Sequence, residues 1–487
     1  MKTMFKQLLL PAIYGIFVAL LLLMPMQLCT PVYAQEPESE CWAVIVGVSE
    51  YKYYSDLNYA DDDARELSQQ LSPVWGDDHI KLLTDSAATK QGIQNAITGW
   101  LAAREDTDDT VLFFFSGRGD YEHLYPHDSL TDSYDNDIFA DDLDSWLGTL
   151  NSERIVVIVD LCFSDSFLSQ LTRTGRIILT AGTLDGVAYE STTLQHGVFP
   201  YYILEALREF DAADSDKNLE LSVEEIFNYA RSRTTDYTAG EQHTQMSDRY
   251  SGELSLLIKA TADAESGMPQ ETNILNIDGK TYSSGELPVS FIWAPGSSHD
   301  FESVSSVSGG SGIQHVFSSW DDGNTSASRA ISEGGVYTAN YKTQYYLTVE
   351  SAYGQPEGDG WYDSGSTATI SVTSPEGTII RQVFTGWSGD LSDTTATASV
   401  TMDGPKTVTA GWRTDYMQLY MITGGGAAIV GALVVMLVMK GKRKKIVVPA
   451  PVKEAAQPPT PSVCASCGAE IEPGDAFCTK CGEPVQD

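Results

Sequence analysis

Basic residues are scarce in this chain. Lys and Arg number 30 against 67 Asp and Glu in 487 residues, a formal net charge of −37. An excess of that size repels phosphate backbones, so nucleic-acid binding is not expected. Cysteine is scarce too. Of seven, four (Cys464, Cys467, Cys478 and Cys481) crowd the C-terminus, Cys29 lies near the start, and only Cys41 and Cys162 stand between. That distribution excludes a disulfide-knit secreted scaffold. Hydrophobic residues at 42% and aromatics at 10% are normal for packed domains and rule out global disorder. At about 150 residues per domain, the length predicts about three of them.

Long apolar runs stand near the two ends. A cationic start with Lys2 and Lys6 leads into an apolar run from Leu8 to Met24, then Val32-Tyr33-Ala34 before Gln35. This is the pattern of a secretory signal over residues 1–34, with an uncleaved anchor helix as the other reading. Residues 417–439 form an uncharged apolar stretch, and about 20 residues suffice to cross the hydrocarbon core. Lys440, Lys442, Arg443, Lys444 and Lys445 follow it, which predicts a cytoplasmic C-terminal side. The expectation is a single-pass protein of the cell membrane, with its N-terminal part extracellular.

Between the ends the patterning changes. Residues 41–260 alternate all-apolar runs, such as Val111 to Phe115 and Ile155 to Val159, with amphipathic stretches such as Ala60 to Leu71. Near-continuous apolar strands separated by helices predict an α/β domain with a parallel sheet covered on both faces. From 272 the composition turns to Ser, Thr, Gly, Tyr and Trp with period-two alternation, predicting β-sandwich-like modules over 272–344 and 345–413. The two overlay: Val316-Phe317-Ser318-Ser319-Trp320 recurs as Val383-Phe384-Thr385-Gly386-Trp387. The second unit resembles the B-repeats of internalins, and a stalk role follows. A basic and Pro-rich linker at 440–462 leads to residues 463–484.

Two strand ends in the α/β domain carry chemistry. Val111 to Phe115 runs into Ser116-Gly117-Arg118-Gly119, and Ile155 to Val159 runs into Asp160-Leu161-Cys162-Phe163-Ser164-Asp165. This pair resembles the caspase and metacaspase family of cysteine peptidases, whose corresponding strands end in Ser-Gly-His-Gly and Asp-x-Cys-x-Ser-Gly. Tyr59 to Ala64, Ala181-Gly182-Thr183, Ala188-Tyr189-Glu190, His196 to Phe199 and Glu241-Gln242-His243 are similar to its other blocks. The resemblance implies a caspase-like fold with Cys162 as nucleophile and Gly119 with the Cys162 amide as an oxyanion hole. It also makes Asp160 a pocket residue for Arg or Lys. The histidine that would act as general base is replaced by Arg118. A guanidinium stays protonated and takes no proton, although its charge favours a thiolate. Asp165, in place of the family's Gly, would oppose that thiolate. His123, His127, His196 and His243 are the candidate substitutes, and spacing selects none. Two functions stay open: cysteine-type proteolysis after Arg or Lys, and a pseudopeptidase acting as a surface binding or adhesion protein.

Two metal sites are legible by spacing. In the segment 214–225, Asp214, Asp216, Asn218, Glu220, Ser222 and Glu225 fall in an EF-hand ligand register, which suits Ca2+. Leu219 stands where such a loop needs Gly for its sharp turn. At the C-terminus, Cys464 and Cys467 with Cys478 and Cys481 form two Cys-x-x-Cys-Gly knuckles. Four thiolates so placed predict a closed tetrahedral Zn2+ site in a module too small to fold without it. The segment resembles prokaryotic zinc-ribbon tails, and a cytoplasmic protein is its expected partner.

Overall fold

The computed structural model describes residues 39–183, 186–423, 462–463 and 470–471; the side chain of Asp165 is not among what it describes. The expected signal peptide (1–34), most of the expected span (417–439), nearly all of the linker and the four C-terminal cysteines lie outside the described residues. No helix among the described residues is long and apolar enough to cross a membrane.

A six-stranded sheet organises the first domain. In chain order its strands are β1 (Cys41–Gly47), β2 (Ile80–Thr84), β3 (Thr110–Ser116), β4 (Arg154–Asp160), β5 (Arg176–Thr180) and β6 (Gln245–Asp248). They lie in the order β6-β5-β4-β3-β1-β2, all parallel except β6. Successive residues of an apolar strand serve opposite faces. Ile45, Leu112, Phe114 and Ile158 meet the helices Ala60–Trp75, Val198–Arg208 and Val223–Tyr237. Val44, Phe113, Phe115 and Val157 meet Ile93, Ile97, Leu143 and Phe167 on the other face. The expected doubly covered sheet is present. The helix Ala60–Trp75 forms because Ala60, Ala64, Leu67, Leu71 and Trp75 repeat at helical spacing on one buried stripe. Asp61, Asp62 and Asp63 favour its N-terminal dipole.

From Ser255 onward the described chain is mostly strand. The strand Ser255–Ala264 pairs with Glu220–Ser222 on one side, and with both Val289–Trp293 and Gly335–Glu350 elsewhere along its length. The expected border at 260 therefore falls inside one strand, and so does the border at 344/345, within Gly335–Glu350. Composition shifts where exposure changes, whereas ladder hydrogen bonds continue until the backbone turns. Two further cores follow, one around Phe301, Trp320 and Tyr341, the other around Leu347, Ile370 and Val408. The internal repeat is structural as well. Trp320 and Trp387 are both buried, and each indole N–H donates to a later carbonyl, of Ser326 at 2.9 Å and of Thr395 at 3.0 Å. A second compact unit, residues 375–383 with 413–487, contains a short antiparallel pairing of 462–463 with 470–471.

Candidate functional site

Parallel strands open their carboxyl ends to ligands where the helices splay apart. Here β3 and β4 end side by side, with Ser116 in register with Asp160. A cleft forms above them, lined by Gly117, Arg118, Gly119, Asp160, Leu161 and Cys162, with Leu57, Ala60, Ala188, Tyr189 and Glu190 facing them. The sequence-predicted Cys162, Arg118, Gly119 and Asp160 are thus brought together. Gly119 is needed there: a Cβ would stand 2.5 Å from the His123 carbonyl and 2.8 Å from Leu161.

Arg118 is committed elsewhere. Its Nε donates to the Ser55 carbonyl at 2.8 Å, and its Nη2 donates to Ser55 Oγ at 3.0 Å and to the Asp56 carbonyl at 3.2 Å. Its own amide donates to the Tyr51 hydroxyl at 2.6 Å. Two backbone carbonyls and the Ser55 hydroxyl hold the planar fork at the rim of the cleft. Cys162 Sγ lies 3.8 Å from the Ala188 carbonyl. Burial pushes its thiol above the ordinary range, Asp160 adds to that, and the Arg118 charge offsets only part. The thiol is therefore neutral at ordinary pH. The next residue, Phe163, has φ +62°, a left-handed conformation that costs a non-glycine residue about 1–2 kcal/mol. Its ring stacks on Tyr121 at 5.2 Å.

Among the described residues no histidine lines this cleft. His123 Nδ1 faces Asp137 at 3.4 Å, its ring packed on Phe139. His127 Nδ1 sits 2.6 Å from the Glu50 carbonyl, and His243 lies in a separate hollow with Arg231. His196 is buried between Asp63 at 2.8 Å and Glu66 at 2.9 Å. None of the four candidate substitutes for the general base is among the described residues that line the cleft with Cys162.

The floor of the cleft is acidic. Asp160 is buried, and its Oδ1 has no hydrogen-bond partner among the described residues. Burial, then the charges of Asp63 and Glu190, push its carboxyl well above the ordinary carboxylate range. Asp63, joined to it through Ser116, is raised by burial to about 6 against hydrogen bonds from His196 and Ser116 that pull the other way. Asp63, Ser116 and Glu190 all lie in segments quoted above for the family resemblance, but no role was read for them. The signal was available for Asp63: it falls on the buried stripe of its helix, where a lone carboxylate among Ala60, Ala64 and Leu67 has no packing reason to be. Glu190 is held by the backbone amides of Asn58 at 3.0 Å and Tyr59 at 2.8 Å.

The segment 214–225 forms a tight loop. Asp214 accepts from the amides of Lys217 and Leu219, Asp216 from Asn218, and Asn218 from Glu220. Leu219 adopts φ +66°, so the left-handed turn forms without glycine. Carboxylate oxygens of Asp214, Asp216 and Glu225 come within 4.8 Å of one another. Ser222 caps the following helix and shares a capping box with Glu225, which also accepts from the Ser215 amide at 2.7 Å. Burial alone would raise the Glu225 carboxyl, but the bonds from Ser215 and Ser222 hold it below its ordinary value.

Residues 40–255 match the family model of the caspase domain, 345–415 that of the divergent InlB B-repeat domain, and 463–485 that of the zinc-ribbon domain. The last of these suggests zinc binding at the C-terminus. No curated protein matches the chain. The motifs and the family models agree on one architecture: a caspase-like domain, then many strands including a B-repeat module, then a zinc ribbon.

Proposed function

We propose that the caspase-like domain is a binding module that draws an Arg or Lys side chain of a peptide or protein into its acid-floored cleft, with Cys162 kept as a neutral thiol. The observation that carries this reading is the pairing of a buried Asp160, one oxygen of which has no partner among the described residues, with a cleft that no described histidine lines. A cation would satisfy that carboxylate, whereas peptide cleavage needs a group that takes and returns a proton. Proteolysis after Arg or Lys is the second reading. It is favoured by Cys162 and Gly119 standing together at the carboxyl ends of the strands.

The two readings separate in one experiment. The full-length protein is expected to bind Arg-containing peptides without cleaving them. Arg118→His supplies the missing base and is expected to raise cleavage, since general-base help is worth about 10²–10⁴-fold. The gained activity should vanish with Cys162→Ala and fall with Asp160→Ala. Wild-type cleavage abolished by Cys162→Ala would establish the peptidase reading instead.

Around this domain we place a secretory signal at 1–34, a single span at 417–439 and the β modules as an outer stalk. The zinc ribbon, with Zn2+ held by Cys464, Cys467, Cys478 and Cys481, then meets a cytoplasmic protein partner. A tag after Asp487 should resist protease in intact cells; its digestion there would reverse this topology. The loop 214–225 is proposed to hold Ca2+ outside the cell through Asp214, Asp216, Asn218, Ser222, Glu225 and the Glu220 carbonyl. Calcium should raise the melting temperature of wild type and leave Glu225→Gln unchanged; equal melting with calcium and with chelator counts against it.

A further inference from the structure

Two carboxylates meet beneath the cleft, and they are unequally supplied with hydrogen bonds. Asp63 Oδ1 accepts from the Gly197 amide at 3.1 Å and faces His196 Nδ1 at 2.8 Å, and its Oδ2 accepts from Ser116 Oγ at 2.8 Å. Asp160 Oδ2 lies 3.4 Å from the same serine hydroxyl, and Asp160 Oδ1 has no partner among the described residues. A hydroxyl has one proton to donate, and here the shorter bond goes to Asp63. Asp160 is 7% exposed, so an unmet hydrogen bond there is costly. The two groups also crowd one point. A Cβ on Gly197 would stand 2.7 Å from Asp160 Oδ2 and 3.1 Å from Asp63 Oδ2.

His196 lies behind Asp63, outside the cleft lining. Its Nε2 is 2.9 Å from Glu66, so the ring is held between two carboxylates. Glu66 in turn pairs with Arg208 from the helix Val198–Arg208. That helix also sets Tyr201 5.9 Å from the imidazole. Asp62, beside Asp63 on the helix Ala60–Trp75, feels the same imidazole charge. On the cleft side, Asp160 faces Glu190 and the Cys162 thiol, with Arg118 at the rim.

We propose that His196 is the positioning residue that divides charge across the cleft floor: its imidazolium makes Asp63 the more readily ionised of the two acids, leaves Asp160 carrying the proton while the cleft is empty, and so makes entry of a cationic side chain release that proton. The inference rests on the reading of the cleft as a site for Arg or Lys. Two adjacent carboxylates do not both ionise in a dry site, and the one richer in donors keeps the charge. Asp63 has donors on both oxygens and a cation behind it. Asp160 has one distant hydroxyl. When a guanidinium or ammonium enters, it offers Asp160 the opposite charge and the donors that it lacks. The Asp160 O–H bond then breaks, the electron pair stays on the carboxylate, and the proton leaves through the cleft mouth to buffer.

Benzamidine serves as the probe, because it is a fixed cation over the whole useful pH range. Its binding to the full-length protein is measured by isothermal titration in two buffers of different ionisation enthalpy, from pH 5 to 8.5. Binding should release close to one proton near pH 6, and affinity should rise as much as tenfold per pH unit below the midpoint. His196→Gln retains hydrogen-bonding capacity toward Asp63 but not the charge. It should move the midpoint upward, weaken binding about tenfold at pH 6 and recover wild-type affinity at the alkaline end. Asp63→Asn should move the midpoint down and reduce the protons released. A merely structural histidine would lower affinity equally at every pH. If His196→Gln does not fold, Glu66→Gln should give a smaller shift of opposite sign, because it removes a negative charge. Benzamidine binding with no proton released overturns the inference and leaves the cation site standing. Absence of binding at every pH, in protein that melts cooperatively, defeats the cation site itself.

Discussion

Two acidic clusters in this molecule treat their carboxylates in opposite ways. In the loop 214–225 the acids are fed by backbone: Glu225 accepts from Ser215 and Ser222, and Asp214 from Lys217 and Leu219. Beneath the cleft, Asp160 is buried with one oxygen unpartnered among the described residues. Glu225 is accordingly held below its ordinary carboxyl range and Asp160 well above it. Burial opposes the charged form at both places; what differs is the supply of N–H groups. A carboxylate already fed by its own backbone shapes a turn. One left starved in a cleft suits an incoming cation.

The largest effect should come from breaking the loop. Glu225→Ala removes the capping box at Ser222 and leaves the Ser215 amide without its acceptor. Half of the capping box is lost and the Ser215 amide belongs to an exposed residue, where water replaces much of the lost acceptor, so about 1–2 kcal/mol in all is expected from urea unfolding in chelator. A loss under 1 kcal/mol would mean that the loop acids are not structural, and the contrast with the cleft would fail.

The contrast also explains what was legible in the sequence. Apolar runs of five residues, such as Val111 to Phe115, are unambiguous for a strand buried on both faces, and the ordered sheet follows from them. The loop's turn was readable because its acids are spaced along one continuous segment. The cleft floor was readable only in part. Asp160 stands beside Cys162 in the chain, but Asp63, Ser116 and His196 arrive from three separate elements. Their chemistry exists only once the helix Ala60–Trp75 packs on the sheet. Replacement of the base by Arg118 was plain in sequence. That the guanidinium is occupied by Ser55 and Asp56 was not, because those carbonyls are presented by a loop with no motif. The shared strand at the 260 border was hidden for a related reason: ladder partners leave little trace in composition.

The next effect is one of pH, and its sign differs between the clusters. The folded-state value of Asp160 lies above 3.8, so the folded protein holds a proton that the unfolded chain has already released. Its contribution to stability is therefore present below about pH 4 and is lost as pH rises toward the folded value. Asn at this position does not titrate. The stability of Asp160→Asn relative to wild type should grow as the pH rises from 4 to 6, with Asp63 absorbing part of the change. Glu225 runs the other way: its contribution is present above about pH 4.5 and is lost on acidification through its lowered folded value. The penalty of Glu225→Gln should therefore shrink in acid. Parallel pH profiles for the two variants would erase the distinction drawn between the clusters.

The smallest effect concerns Arg118, which links the floor of the cleft to its rim. Its bonds to Ser55 and Asp56 lie at the surface, where each hydrogen bond is worth about 0.5–1 kcal/mol at most and water replaces what is lost. Arg118→Ala is therefore expected to cost about 1 kcal/mol or less in unfolding free energy. Its electrostatic effect on Cys162 is separable from that cost. The guanidinium offsets part of the upward push that burial and Asp160 give the thiol, so removing it should lower the thiolate fraction. Alkylation by iodoacetamide at pH 8 should slow by roughly twofold to fivefold, and Arg118→Lys should recover most of the rate because it returns the charge without the fork. Asp160→Asn should speed the same alkylation at a pH where Asp160 is ionised, since it removes the opposing charge. If Arg118→Ala instead quickens alkylation, the side chain shields the thiol from reagent more than it polarises it. Its bonds to Ser55 and Asp56 would then mark it as a steric guard of the cleft.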